Sequence, residues 1–109
     1  MKRIKERLTP TRINNFNPEE EAWLYDTESH LAVRAAPLRS GDCSKTYYFV
    51  STLAYKIIRA SFGDVRVVEL PDAKSKALKW QGWIKEGKDP REVIKEEERR
   101  QAAEEQARL

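Results

Sequence analysis

The side chains in this sequence best suited to chemistry are cations and hydroxyls, and they suit binding rather than bond-making. Arg34, Lys45, Lys56 and Arg59 share one stretch with Thr46, Tyr48, Tyr55 and Ser61. A guanidinium offers a planar fork of donors matched to guanine or phosphate, an ammonium offers a compact charge, and hydroxyls reach phosphates or base edges. The catalytic alternatives are thin. The one histidine, His30, falls in a predicted turn, and the one cysteine, Cys43, sits in an apparent loop between Asp42 and Ser44. A single cysteine excludes an intrachain disulfide and a zinc site built from several thiolates. Glu19-Glu20-Glu21 is a carboxylate run without a fixed scaffold, the usual pattern of a solvated face. The sequence has no Gly-rich phosphate loop, Ser/His/Asp arrangement or metal-ligand cluster. We therefore expect no catalytic residue, no cofactor and no metal.

The charge distribution points the same way. The net charge of +3 is small, but it is unevenly spread along the 109 residues. Residues 1–12 carry five basic groups and one acid, residues 19–28 carry five acids, and residues 34–66 carry six basic groups against Asp42 and Asp64. A clustered basic region is the electrostatic footprint of a nucleic-acid binder. No apolar run reaches membrane length and no secretory core is visible, so a cytoplasmic protein without a membrane partner is expected.

The elements that must position these groups can be traced from pattern. A chain of this length allows one domain with a modest core. Residues 1–18 are basic and then polar without a sustained period, and are expected to be a flexible lead-in. Trp23, Leu24 and Tyr25 form a short strand candidate before a turn at Asp26–Ser29. Leu31-Ala32-Val33-Arg34-Ala35 alternates with period 2. Lys45–Val50 is rich in β-formers, and a further strand is expected over Leu53–Phe62 after a tight connection at Ser51-Thr52. From Pro71 to Glu86, Ala73, Ala77, Trp80 and Ile84 make one apolar helical stripe. Pro71 suits the first helical turn, Asp72 suits the dipole there, and Gly87 and Pro90 end the helix. The prediction is an α+β fold, a three-stranded antiparallel sheet packed on one C-terminal helix. A fourth strand would lie near Trp23–Asp26. Residues 91–109 are helical by composition but offer no apolar stripe, which predicts a charged linker after a domain over residues 19–90.

The segment from Phe62 to Pro90 resembles the end of the N-terminal arm-type DNA-binding domain of phage and prophage tyrosine-recombinase integrases. That family reads Leu-Gly, then Leu-x-x-Ala-Arg, then Gly-x-Asp-Pro at this point. Here the corresponding residues are Phe62-Gly63, Leu70-x-x-Ala73-Lys74 and Gly87-Lys88-Asp89-Pro90, with no gap from Leu70 to Pro90. The resemblance implies a three-stranded sheet backed by a helix, with the sheet inserted into the major groove of arm-type repeats. It also implies core-binding and catalytic domains elsewhere. The recombinase catalytic set is missing here, since His30 is followed by Leu31, Ala32 and Val33 rather than by a His-x-x-Arg pattern.

Alternation combined with the family register assigns the two faces of the sheet. Ile58, Ala60 and Phe62 point inward with Tyr47 and Phe49. Arg34, Thr46, Tyr48, Arg59 and Ser61 point outward, with Tyr55 and Lys56 near the rim. Lys45, Lys56 and the basic groups of the lead-in would neutralise phosphates. The expected function is sequence-specific binding of double-stranded DNA, anchoring a recombinase on arm sites. The fragment is expected to be monomeric, with other recombinase subunits as further partners of the full-length protein. The alternative is a protein-interaction module that contacts another recombinase subunit or an accessory protein.

Overall fold

Alternating and β-branched segments pair into one sheet, and the stretches rich in Ala, Lys and Glu form helices. A computed structural model describes residues 2–108. The element order is β1 (Lys2–Glu6), α1 (Pro10–Asn14), β2 (Ala22–Asp26), β3 (Leu31–Pro37), β4 (Cys43–Leu53), β5 (Lys56–Asp64), α2 (Leu70–Lys85) and α3 (Pro90–Arg108). The sheet has five strands in the order β1-β2-β3-β4-β5. β1 runs parallel to β2, and all other neighbours are antiparallel.

The fold is thus α+β with a larger sheet than the three or four strands expected, and with three helices. β2 is the extra strand near Trp23. β1 forms inside the stretch expected to be a lead-in, and no apolar alternation marks it because it is an edge strand of Lys, Arg and Glu around the single apolar Ile4. Such charge is how edge strands avoid pairing with foreign chains. What holds β1 is long-range. The Leu8 amide donates to Asp26 Oδ1 at 3.0 Å, and the Thr27 amide donates to the Glu6 carbonyl at 3.2 Å. Lys74 Nζ donates to the Leu8 carbonyl at 3.1 Å and lies 3.9 Å from Asp26 Oδ2. Between β1 and β2, Thr9 caps α1 by accepting from the Arg12 amide, and Ile13 and Phe16 are buried in the core.

Leu24, Leu31, Val33, Ala35, Tyr47, Phe49, Ile58 and Phe62 form one core with Leu70, Ala73, Ala77, Trp80 and Ile84 of α2. Trp80 meets Phe62 and Phe49 edge-on, with centroids at 4.9 and 5.4 Å. The α2 terminus follows the sequence signals. Gly87 has φ +80°, its amide donates to the Ile84 carbonyl, and the Lys88 amide donates to the Trp83 carbonyl. That is the Schellman arrangement that a glycine permits.

The β4–β5 connection differs from the expected one. β4 runs through Ser51-Thr52 to Leu53, and the turn is the two-residue loop Ala54-Tyr55, at φ 50° and 67°. Two-residue hairpins favour positive φ at both positions, which Asn and Gly signal and which Ala and Tyr do not. Further along, the ladder slips between Tyr47 and Tyr48, so that Tyr47 pairs with Gly63 and Tyr48 with Ser61. Gly63 at this bulge has φ +113°, and a Cβ there would approach Val68 to 3.1 Å.

Candidate nucleic-acid interface

Strand pairing sets side chains in rows across the face opposite α2. One row runs Arg3, Trp23, Arg34, Thr46, Asp64. The next runs Lys5, Tyr25, Ala32, Tyr48, Ser61, and a third pairs Val50 with Arg59. The rows between them, such as Ile4, Leu24, Val33 and Tyr47, point into the core. Paired residues share a face, because side chains alternate along each strand. Arg34, Thr46, Tyr48, Arg59 and Ser61 therefore lie together on the face that α2 leaves uncovered.

Lys45 does not join them. It pairs with Ala35 on the core side, and its ammonium donates to the carbonyls of Ile13 and Asn14 at 2.7 and 3.0 Å. Desolvation there lowers its pKa. Its position between Ser44 and Thr46 puts it on the opposite face by alternation alone. There it completes the C-terminal end of α1, where a cation suits the helix dipole. Tyr55 and Lys56 sit at the hairpin tip at one end of the sheet, both exposed, Tyr55 at 103%.

The face is not a bare strand surface. Trp23 is only 3% exposed, although it points away from the α2 core. Its ring lies 5.0 Å from Tyr48 and 6.1 Å from Tyr25. The Arg59 guanidinium lies over it at 4.9 Å. Beneath, Ala32 is fully buried. Arg34 donates from Nε to Glu21 Oε1 at 2.7 Å, and the two side chains are 38% and 40% exposed. This hydrogen bond is the main cause that raises the Arg34 pKa and lowers the Glu21 pKa. At the end of the face near the β2–β3 turn, an open depression of about 770 Å³ is lined by Arg3, Lys5, Tyr25, His30, Ile57 and Arg59, among others.

Trp23, Tyr25 and Glu21 belong to this face and were not among the expected site residues; Arg3 and Lys5 were expected to neutralise phosphates from a flexible lead-in, and instead stand on a strand of the sheet. The signal for the first three was the alternation Glu21-Trp23-Tyr25 on a strand too short to fix its register. For the strand that carries Arg3 and Lys5 there was no local signal, since β1 is held by long-range pairing with β2 and by contacts to Asp26 and Lys74. Chemically the face presents guanidinium, ammonium, phenol and hydroxyl groups over an aromatic floor. Among the described residues no group of three His, Cys, Asp or Glu side chains could hold a metal ion, and no helix is long and apolar enough to cross a membrane.

A search of curated proteins and a search of solved structures each gave no match. The family model described as "Arm DNA-binding domain" matches residues 8–97, which is most of the chain. That match makes this a DNA-binding, non-catalytic module. The chain belongs to the arm DNA-binding domain family, the arm-type DNA-binding domain found in phage integrases.

Proposed function

We propose that this chain is the sequence-specific, double-stranded DNA-binding module of a phage-type tyrosine recombinase, and that it anchors that enzyme on arm-type repeats while other domains cut. The observation that carries the reading is the sharing of one uncovered sheet face by Arg34, Thr46, Tyr48, Arg59 and Ser61, extended by Arg3 and Lys5 on β1. A sheet can enter the major groove, where every base pair shows its own donor and acceptor pattern. On this reading Arg34 and Arg59 reach base edges, while Thr46, Tyr48, Ser61, Arg3, Lys5 and the rim residues Tyr55 and Lys56 serve phosphates or edges. Lys45 is left out of the set because its ammonium is engaged on the other side. A DNA substrate puts the site of action in the cytoplasm.

The test is selection of duplexes from a randomised pool by the 109-residue chain, followed by titration at several salt concentrations. Enrichment of a common sequence, with affinity falling steeply as salt rises, supports the reading. Recovery of an unenriched pool overturns it. Chemical-shift changes confined to α3 on adding a recombinase core would favour an interaction module instead, since residues 95–108 of α3 are exposed throughout.

A further inference from the structure

Glu21 and Asp64 are the carboxylates on a face rich in basic groups; Asp64, opposite Thr46, is engaged by Arg66, whereas the register sets Glu21 beside Arg34. Ala22 pairs with Ala35 and Trp23 with Arg34, so Glu21 lies diagonally beside Arg34 on the same face. The contact it makes uses one specific donor of the guanidinium. Nε donates to Oε1 at 2.7 Å, the terminal nitrogens make no further hydrogen bond within 3.5 Å among the described residues, and the Tyr48 hydroxyl lies near enough to add to the raised Arg34 pKa. A guanidinium held at Nε keeps its Nη1/Nη2 edge for a second partner, and that edge matches O6 and N7 of guanine. Next to it, the Trp23 indole N–H is buried without a hydrogen-bond partner among the described residues, yet close enough to help keep the Glu21 carboxyl ionised.

Two physical consequences follow. An unrestrained arginine must lose rotamer freedom on binding, and a tether at Nε removes part of that loss beforehand. A carboxylate beside the guanidinium also repels phosphate oxygens, whereas a guanine edge is neutral. The pair therefore disfavours a backbone contact by Arg34 and favours a base contact. We propose that Glu21 is a specificity-determining positioning residue, which orients Arg34 toward a guanine and steers it away from phosphate. This rests on the DNA-reading function proposed above and adds to it which residue sets discrimination at one base pair.

The experiment uses the duplex enriched by the unaltered 109-residue chain and a series in which each G·C pair is replaced by A·T. One replacement should weaken binding on the order of tenfold, the scale of a lost bidentate contact. Arg34→Ala should erase that penalty. Glu21→Ala should shrink it to about threefold or less while leaving shuffled duplexes bound as well or better, because one repulsive charge is gone. Adding Glu21→Ala to Arg34→Ala should change nothing at that base pair. Glu21→Gln keeps an acceptor for Nε and should retain part of the penalty. In the free protein, the Arg34 Nε–H resonance should exchange slowly with water in the parent and fast in Glu21→Ala, which tests the tether without DNA. If Glu21→Ala keeps the full penalty, or shifts affinity for all duplexes by one common factor, the positioning role is wrong. Unchanged Nε–H exchange also overturns it. An unenriched pool would instead sink the DNA-reading function itself, so the two failures are distinct.

Discussion

The Arg59 guanidinium lies 4.9 Å from the centre of the Trp23 ring, although β3 and β4 separate their two strands. Arg59 reaches over the two intervening strands, of which β3 carries the small, fully buried Ala32. The contact is a cation–π pair on an exposed arginine, of about 0.5–1 kcal/mol. It places the charge over the middle of the sheet rather than at the β5 edge, so that on the proposed reading Arg59 would meet a groove from the centre of the face.

Arg59→Ala should therefore weaken the enriched duplex by about 1–3 kcal/mol if Arg59 reads a base edge. Arg59→Lys keeps the charge but loses the fork, and should recover affinity for shuffled duplexes more than discrimination. The Trp23 indole resonance should shift in both variants without DNA. An Arg59→Ala chain that discriminates as well as the parent would count against a reading role for this residue.

Lys45 supplies the contrast. Its ammonium is held by two carbonyls at the end of α1, away from the Arg59 face. Lys45→Ala should lower folding stability by about 1 kcal/mol, the size of a partly exposed charge-assisted hydrogen bond. Discrimination between duplexes should be unchanged. A loss of discrimination as large as that of Arg59→Ala would return Lys45 to the DNA-binding set.

Much of this architecture could be read from local pattern, and what could not has a common cause. The alternation from Leu31 to Ala35, the Ala73-Ala77-Trp80-Ile84 stripe and the Gly87 stop each express a rule within a few residues. They predicted β3, α2 and its end. The outward set of Arg34, Thr46, Tyr48, Arg59 and Ser61 followed once the family register fixed the parity of each strand. β1 and the Ala54-Tyr55 turn did not follow, because neither carries its own signal. β1 depends on Asp26 and Lys74, distant in sequence, and the turn is imposed by the pairing of β4 with β5. Lys45 is different: the alternation that sets Thr46 outward already sets Lys45 inward, and its charge is what suggested DNA.

Trp80 tests the core that backs the face. It is 7% exposed and lies edge-on to both Phe49 and Phe62. Trp80→Ala should destabilise by roughly 3–5 kcal/mol in denaturant titration. A loss under about 1 kcal/mol would mean that the ring does not fill the space between α2 and the sheet.

Asp26 ties that core to the β1 edge of the sheet, and its titration gives a pH dependence with a definite sign. Its side chain is fully buried. Burial pushes its carboxyl pKa up, but the Ser29 hydroxyl, the Leu8 amide and the Lys74 ammonium outweigh this and hold it below the ordinary 3.8. A depressed carboxyl pKa contributes stability that is present above the unfolded value and lost as pH falls through the folded one. Acid should therefore loosen the Leu8 end of β1 below about pH 4, and the neutral range should show no such change. Asp26→Ala should mimic it at neutral pH, at about 1–3 kcal/mol, because the buried Leu8 N–H loses its acceptor. Asp26→Asn keeps an acceptor and should fall between. Since β1 carries Arg3 and Lys5 onto the face, Asp26→Ala should also weaken all duplexes by a similar factor and flatten the salt dependence, with base discrimination preserved. Amide exchange at Leu8 and Thr27 reads the first effect, and duplex titration reads the second. Fast exchange at Leu8 in Asp26→Ala with an unchanged salt slope would show that β1 makes no phosphate contacts.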